Sequence, residues 1–149
     1  MFITDFLFNK FPIAQPGKLS WARATAVCNS TLSAIALKVL NLDKSILHSS
    51  AILPLAMEAA RAELVPMAYR DIVCNTWKLD PPKALGDVTE SVLAAVFVDA
   101  NFDLEIAFKV IRHVMKDLLE ALHPDTPKDP ISEMLMYMAK EGCTRGRFR

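Results

Sequence analysis

Residues 81–91 read PPKALGDVTES, and within them Asp87 and Glu90 stand three residues apart, with Lys83 four residues before Asp87. On a helix that spacing is about one turn, so the two carboxylates project from the same side. Two readings are open. In the plain one they are acids at the start of a helix, where the dipole favours negative charge and offsets their mutual repulsion. In the chemical one they are part of a site for a hard cation. Magnesium takes oxygen ligands, often one or two carboxylates, with water and phosphate completing its shell. Such an ion makes a nucleophile of water and stabilises the leaving oxygen of a phosphate ester. Lys83 then adds a positive charge beside the reacting phosphate.

The other residues with reactive side chains form no comparable group. Cys28, Cys74 and Cys143 are odd in number and far apart, without a C-x-x-C pair. They suggest neither a zinc site nor a disulfide framework, and inert thiols in a reducing compartment are the expectation. His48, His113 and His123 are scattered, with no His or Cys at ligand spacing, and no chemistry is assigned to them.

The elements that must hold the acids are helical. Phe2, Ile3, Phe6 and Leu7 share one face of a first helix that ends before Pro12. That helix starts in mid-pattern, with no capping residue before it, which leaves its first N–H groups unpaired. Leu32, Ile35, Ala36, Val39 and Leu40 make a second core-facing stripe. Residues 53–76 are expected to form a long helix, with Pro54 in its first turn and a kink at Pro66. The string SVLAAVFVDA suits either a buried core helix or a pairing face. Leu104, Ala107, Phe108, Ile111, Met115 and Leu118 predict another helix, capped by Asp103. A last helix opens with Asp129 as cap and Pro130 at its first position, and is expected to end at Gly142. No period-2 segment argues for a strand, so the class is all-α.

The whole string then resembles a known family. KALGDVTESVLAAVFVDANFDLEIAFKVI is similar to the second signature of the ribonuclease III family, in particular the second nuclease domain of Dicer-type enzymes. The matching positions are Gly86, Asp87, Glu90, the small residues Ala94 and Ala95, and Asp99. FPIAQPGKLSWARATAVCNSTLSAIALKVLNL resembles the family's Pro-Gly turn, the Leu and Arg after it, and the Asn that opens the next helix. KDPISEMLMYMAKEGC is similar to the segment leading out of the nuclease domain.

The resemblance implies an all-α ribonuclease III-type domain and Mg²⁺-dependent (or Mn²⁺-dependent) hydrolysis of double-stranded RNA. It makes Asp87 and Glu90 metal ligands and puts Lys83 close to the scissile phosphate. It implies a second ribonuclease III domain as partner, in a homodimer or within a longer protein, and an intracellular setting, cytoplasmic or nuclear. The family's first signature, an acidic leader ending in Leu-Gly-Asp, is expected just before FITDFLFNKFP. The nuclease domain is therefore read as N-terminally truncated, over residues 1–142, with 143–149 as a basic tail expected to be disordered. Where some members carry an acid before the turn glycine, this chain has Pro16. Half a carboxylate cluster predicts weak cleavage or none by the 149-residue chain. The alternative is a non-catalytic domain that pairs with an active one or binds RNA.

Composition is compatible with this. The chain is 52% hydrophobic, carries no net charge, and is long enough for one core. No apolar run reaches the roughly 20 residues that span a bilayer, and the N-terminus lacks a secretory cleavage pattern. The neutral balance argues weakly against a dedicated nucleic-acid binder. Three arginines in TRGRFR are its one basic concentration, read as a solvated end.

Overall fold

A computed structural model describes residues 1–141; the TRGRFR tail, Cys143 and the helix stop at Gly142 lie outside them. The described residues form nine α-helices and two short 3₁₀ turns, with no strand among them. Helix α1 spans Phe2–Lys10 and buries Phe2, Ile3 and Leu7; Met1 sits at its N-cap position without a side-chain cap.

Helix α2 spans Pro16–Ala26. The Pro-Gly pair expected as a turn is instead the first turn of this helix. Pro16 at N1 has a preset φ and lacks only an N–H that would have no partner there. Gly17 meets nothing a Cβ would touch.

Helix α3, Asn29–Lys38, is the axis of the fold. Every residue from Ser30 to Leu37 is buried, so neighbours surround it and its stripe is wider than the sequence periodicity suggested. The stripe ends early: Val39 caps the helix and is 42% exposed. One apolar cluster joins α3 to α1, α2 and the C-terminal helices through Leu7, Ala22, Ile35, Leu118 and Leu122. A second lies on its other side, with Leu37, Met57, Leu64, Ile72 and Leu85.

Two expected long helices are broken. Residues 53–76 form α4 (Leu53–Leu64), α5 (Tyr69–Cys74) and a 3₁₀ turn that begins at Thr76. Pro66 ends the helix rather than kinking it, because it cannot donate the next helical hydrogen bond and its ring crowds the preceding turn. Lys38 steadies the link, its ammonium donating to the Met67 carbonyl and lying 4.7 Å from the Tyr69 ring centre.

The stripe from Leu104 to Leu118 is likewise split into α7 (Leu104–Val114) and α8 (Lys116–Ala121) at Met115. The break re-aims the chain so that Met115, Leu118, Leu119 and Leu122 all enter the first core cluster. Lys10 caps the end of α8, donating to the Leu119 carbonyl at 2.9 Å.

Both expected N-caps are formed. Asp103 accepts from the Glu105 and Ile106 amides, and Asp129 accepts from Ser132. Helix α9, Pro130–Lys140, buries none of its residues.

Candidate active site on helix α6

Helix α6 spans Lys83–Asp99 and carries the three residues singled out from the sequence. It starts where it does because Pro81 and Pro82 cannot continue the preceding backbone, and Pro82, at φ −52°, is its N-cap. Leu85, Gly86 and Thr89 are its buried residues.

Gly86 and Thr89 face α3. A Cβ built on Gly86 would stand 2.4 Å from Asn29 Oδ1, so a larger residue there would force Asn29 to shift. Thr89 Oγ1 lies 3.1 Å from the Leu32 carbonyl of α3 and 2.9 Å from the Leu85 carbonyl of its own helix.

Asp87 and Glu90 each follow one of these two contact residues, so they share the adjacent flank of the helix. Both are exposed. The contact with α3 is made by the small residues, and the acids are exposed beside it. Nor are they first-turn acids. The helix begins at Lys83 and its first turn holds no acid, so the expected support from the helix dipole does not reach them.

Lys83 supplies the offset instead. Its Nζ lies 2.5 Å from Asp87 Oδ1, in an i,i+4 pair whose side chains are 80% and 54% exposed. The hydrogen bond to Asp87, helped by the charges of Asp87 and Glu90, raises the Lys83 amine above its ordinary pKa. Lys83 is therefore a fixed cation and not a proton acceptor near neutral pH.

No group of three or more His, Cys, Asp or Glu residues could hold a metal among the described residues. The donor chemistry at Asp87 and Glu90 nevertheless suits a hard cation, which takes one or two carboxylates and keeps water or phosphate in its other positions. A cleft of about 580 Å³ is lined by Lys10, Phe11, Arg70, Cys74, Leu122 and His123, and by none of the α6 triad.

Sequence reasoning missed the residues that place this helix. Asn29 Nδ2 donates to the Pro81 carbonyl at 2.8 Å, and Ser30 Oγ lies 3.1 Å from the carbonyls of Thr76 and Leu79. The first turn of α3 thereby fastens the strand of chain that leads into α6. The only signal in the sequence was the Asn at the head of a helix, whose contact lies 52 residues away.

The remainder of α6 overturns the buried-core reading of its small residues. Ala94, Ala95 and Val98 are exposed, and Val92, Leu93, Val96 and Phe97 are half-buried. Beyond it, Asn101 and Phe102 have positive φ, 52° and 63°, and Phe102 stacks edge-on against Phe97 while remaining 66% exposed.

Comparison with known proteins settles the family. The ribonuclease III domain family matches residues 1–101, which include α1–α3 and all of α6. The chain belongs to the ribonuclease III family. It is 32% identical to Protein Dicer of Schizosaccharomyces pombe over 145 residues, covering 95% of this chain and 10% of that protein. To Endoribonuclease Dicer homolog 2 of Arabidopsis thaliana it is 31% identical over 133 residues, 89% of this chain and 9% of that one. Endoribonuclease Dcr-1 of Drosophila melanogaster matches at 40% over 57 residues, 38% of this chain and 2% of the relative. The chain thus spans about a tenth of the length of its first two Dicer relatives. No solved structure matches it.

Proposed function

We propose that this ribonuclease III domain acts on double-stranded RNA, with Asp87 and Glu90 as ligands of a Mg²⁺ or Mn²⁺ ion beside the scissile phosphodiester. The observation that carries the proposal is the exposed flank of α6, where two carboxylates and a fixed ammonium stand within one to two turns of each other. When bound, the ion would activate water and neutralise the leaving oxygen.

The protein's own groups do the rest. Asp87 and Glu90 orient the ligand shell, and Lys83 meets the negative phosphate. Gly86 and Thr89 take the contact with α3, which leaves Asp87 and Glu90 exposed to a substrate. An A-form duplex offers backbone and 2′-hydroxyl contacts to such a surface, and its deep major groove hides the base edges, so little sequence preference is expected.

Two carboxylates bind a divalent ion weakly, so the 149-residue chain cleaves RNA slowly or not at all by itself. Incubating purified chain with a labelled RNA duplex and Mg²⁺ tests this. Little cleavage is expected, with what there is lost in Asp87→Asn; robust cleavage that survives Asp87→Asn would overturn the assignment.

A second reading, pairing with another ribonuclease III domain, is favoured by a specific surface. Val98, Phe102, Leu104 and Ile106 are 57%, 66%, 43% and 47% exposed around the end of α6 and the start of α7. Exposed large apolar side chains close together along the chain are suited to a protein partner. The pairing would be within a longer protein or between two copies. The nuclease domain is taken to run over residues 1–142. The free thiols of Cys28 and Cys74 accord with an intracellular, reducing compartment, and no described helix is long and apolar enough to cross a membrane.

A further inference from the structure

We propose that Asn29 is a positioning residue for the α6 site: it fixes the head of that helix so that Lys83, Asp87 and Glu90 face one ligand. The proposal rests on the metal-and-phosphate reading of these residues given above.

Two independent contacts support it. The Asn29 amide nitrogen donates to the carbonyl of Pro81, two residues before α6 begins, at 2.8 Å. Its amide oxygen lies over Gly86, so close that any larger residue there would collide with it. One side chain therefore touches α6 on both sides of Lys83, at its entry and at the residue preceding Asp87.

Asn29 is itself well anchored. It opens the central helix α3, and the next residue, Ser30, reaches the Thr76 and Leu79 carbonyls of the same incoming segment. The rotation of α6 about its axis decides where Asp87 and Glu90 point. The Gly86 contact sets that rotation, and the Pro81 hydrogen bond sets the height of the first turn. Groups that orient ligands without touching the ion commonly change affinity as much as a weak ligand does.

The test uses the full 149-residue chain and Mn²⁺ alone, with affinity from titration calorimetry and amide hydrogen exchange of residues 85–88 by NMR. Asn29→Ala is compared with Asp87→Asn, which removes a ligand, and with Leu122→Ala, which opens a cavity in the other core cluster. Asn29→Ala is expected to weaken Mn²⁺ binding by about five- to tenfold and to speed exchange at 85–88 by about tenfold. Leu122→Ala is expected to lower the melting temperature while leaving both readouts near wild type.

Wild-type affinity and exchange in Asn29→Ala would overturn the proposal. So would equal losses in Leu122→Ala, which would reduce the effect to general destabilisation. If the unaltered chain binds no Mn²⁺, or Asp87→Asn changes nothing, the metal reading fails instead. The exchange arm then decides separately whether Asn29 holds the head of α6.

Discussion

Gly86 shows how much one missing methyl group decides here. Its neighbours Asp87 and Lys83 carry the charge, yet the glycine lets α6 come close enough to α3 for Asn29 to lie across it. Gly86→Ala would put a Cβ 2.4 Å from Asn29 Oδ1, and Asn29 cannot simply swing away while it donates to Pro81. We expect a loss of about 1–3 kcal/mol in urea denaturation, and a smaller loss when Gly86→Ala is made in an Asn29→Ala background. The acid pair and Lys83 were legible in the sequence because their spacing alone places them on one side of a helix. Asn29 and Ser30 were not, because their partners lie 46 to 52 residues away and no local pattern records them. The position of the acids within α6 was also misjudged: the helix already starts at Lys83, a full turn before Asp87, so the pair lies beyond its first turn.

Among the elements, those read correctly are the ones whose signals are local. Asp103 and Asp129 cap their helices as their positions suggested, and Pro12 follows the end of α1. Helix breaks were read poorly because they answer to the core. Met115 interrupts a continuous stripe so that Leu118, Leu119 and Leu122 can be buried, and periodicity cannot show such a turn. The link between α3 and α4 is held in another way. Arg61 of α4 makes a two-pronged contact with Asp43, Nε to Oδ2 at 2.7 Å and Nη2 to Oδ1 at 2.6 Å. The hydrogen bonds from Arg61 hold the Asp43 carboxyl below its ordinary value, against the opposing effect of burial. A carboxylate lowered in the folded state adds stability above its unfolded pKa, and that stability is lost as pH falls through the folded value. Asp43→Asn should therefore be less stable than wild type at neutral pH by about 1–3 kcal/mol. The gap should close in urea melts taken below the ordinary carboxylate range. An equal gap at all pH values would contradict this role for the ion pair.

At the scale of the whole molecule, the architecture is one central helix enclosed on one side by α1, α2 and α8 and on the other by α4–α6. The all-α character of the described residues was legible in the sequence, because apolar residues recur with helical period and no alternating segment interrupts them. The exposure of the apolar end of α6 was not, because hydrophobicity alone cannot separate a core helix from a pairing face. Val98, Phe102, Leu104 and Ile106 decide for an outward-facing surface in this chain. If that surface pairs two ribonuclease III domains, Phe102→Asp should shift the chain toward monomer in sedimentation velocity at concentrations where wild type associates, without lowering its helix content. Pairing and cleavage aside, Asp87 and Glu90 are proposed to bind a divalent ion together on the exposed flank of α6. Paramagnetic broadening of amide resonances by sub-stoichiometric Mn²⁺ tests it most directly. Broadening centred on residues 83–91 and abolished by Asp87→Asn and by Glu90→Gln is the result expected, whereas broadening elsewhere, or broadening at α6 unchanged by both substitutions, would contradict it.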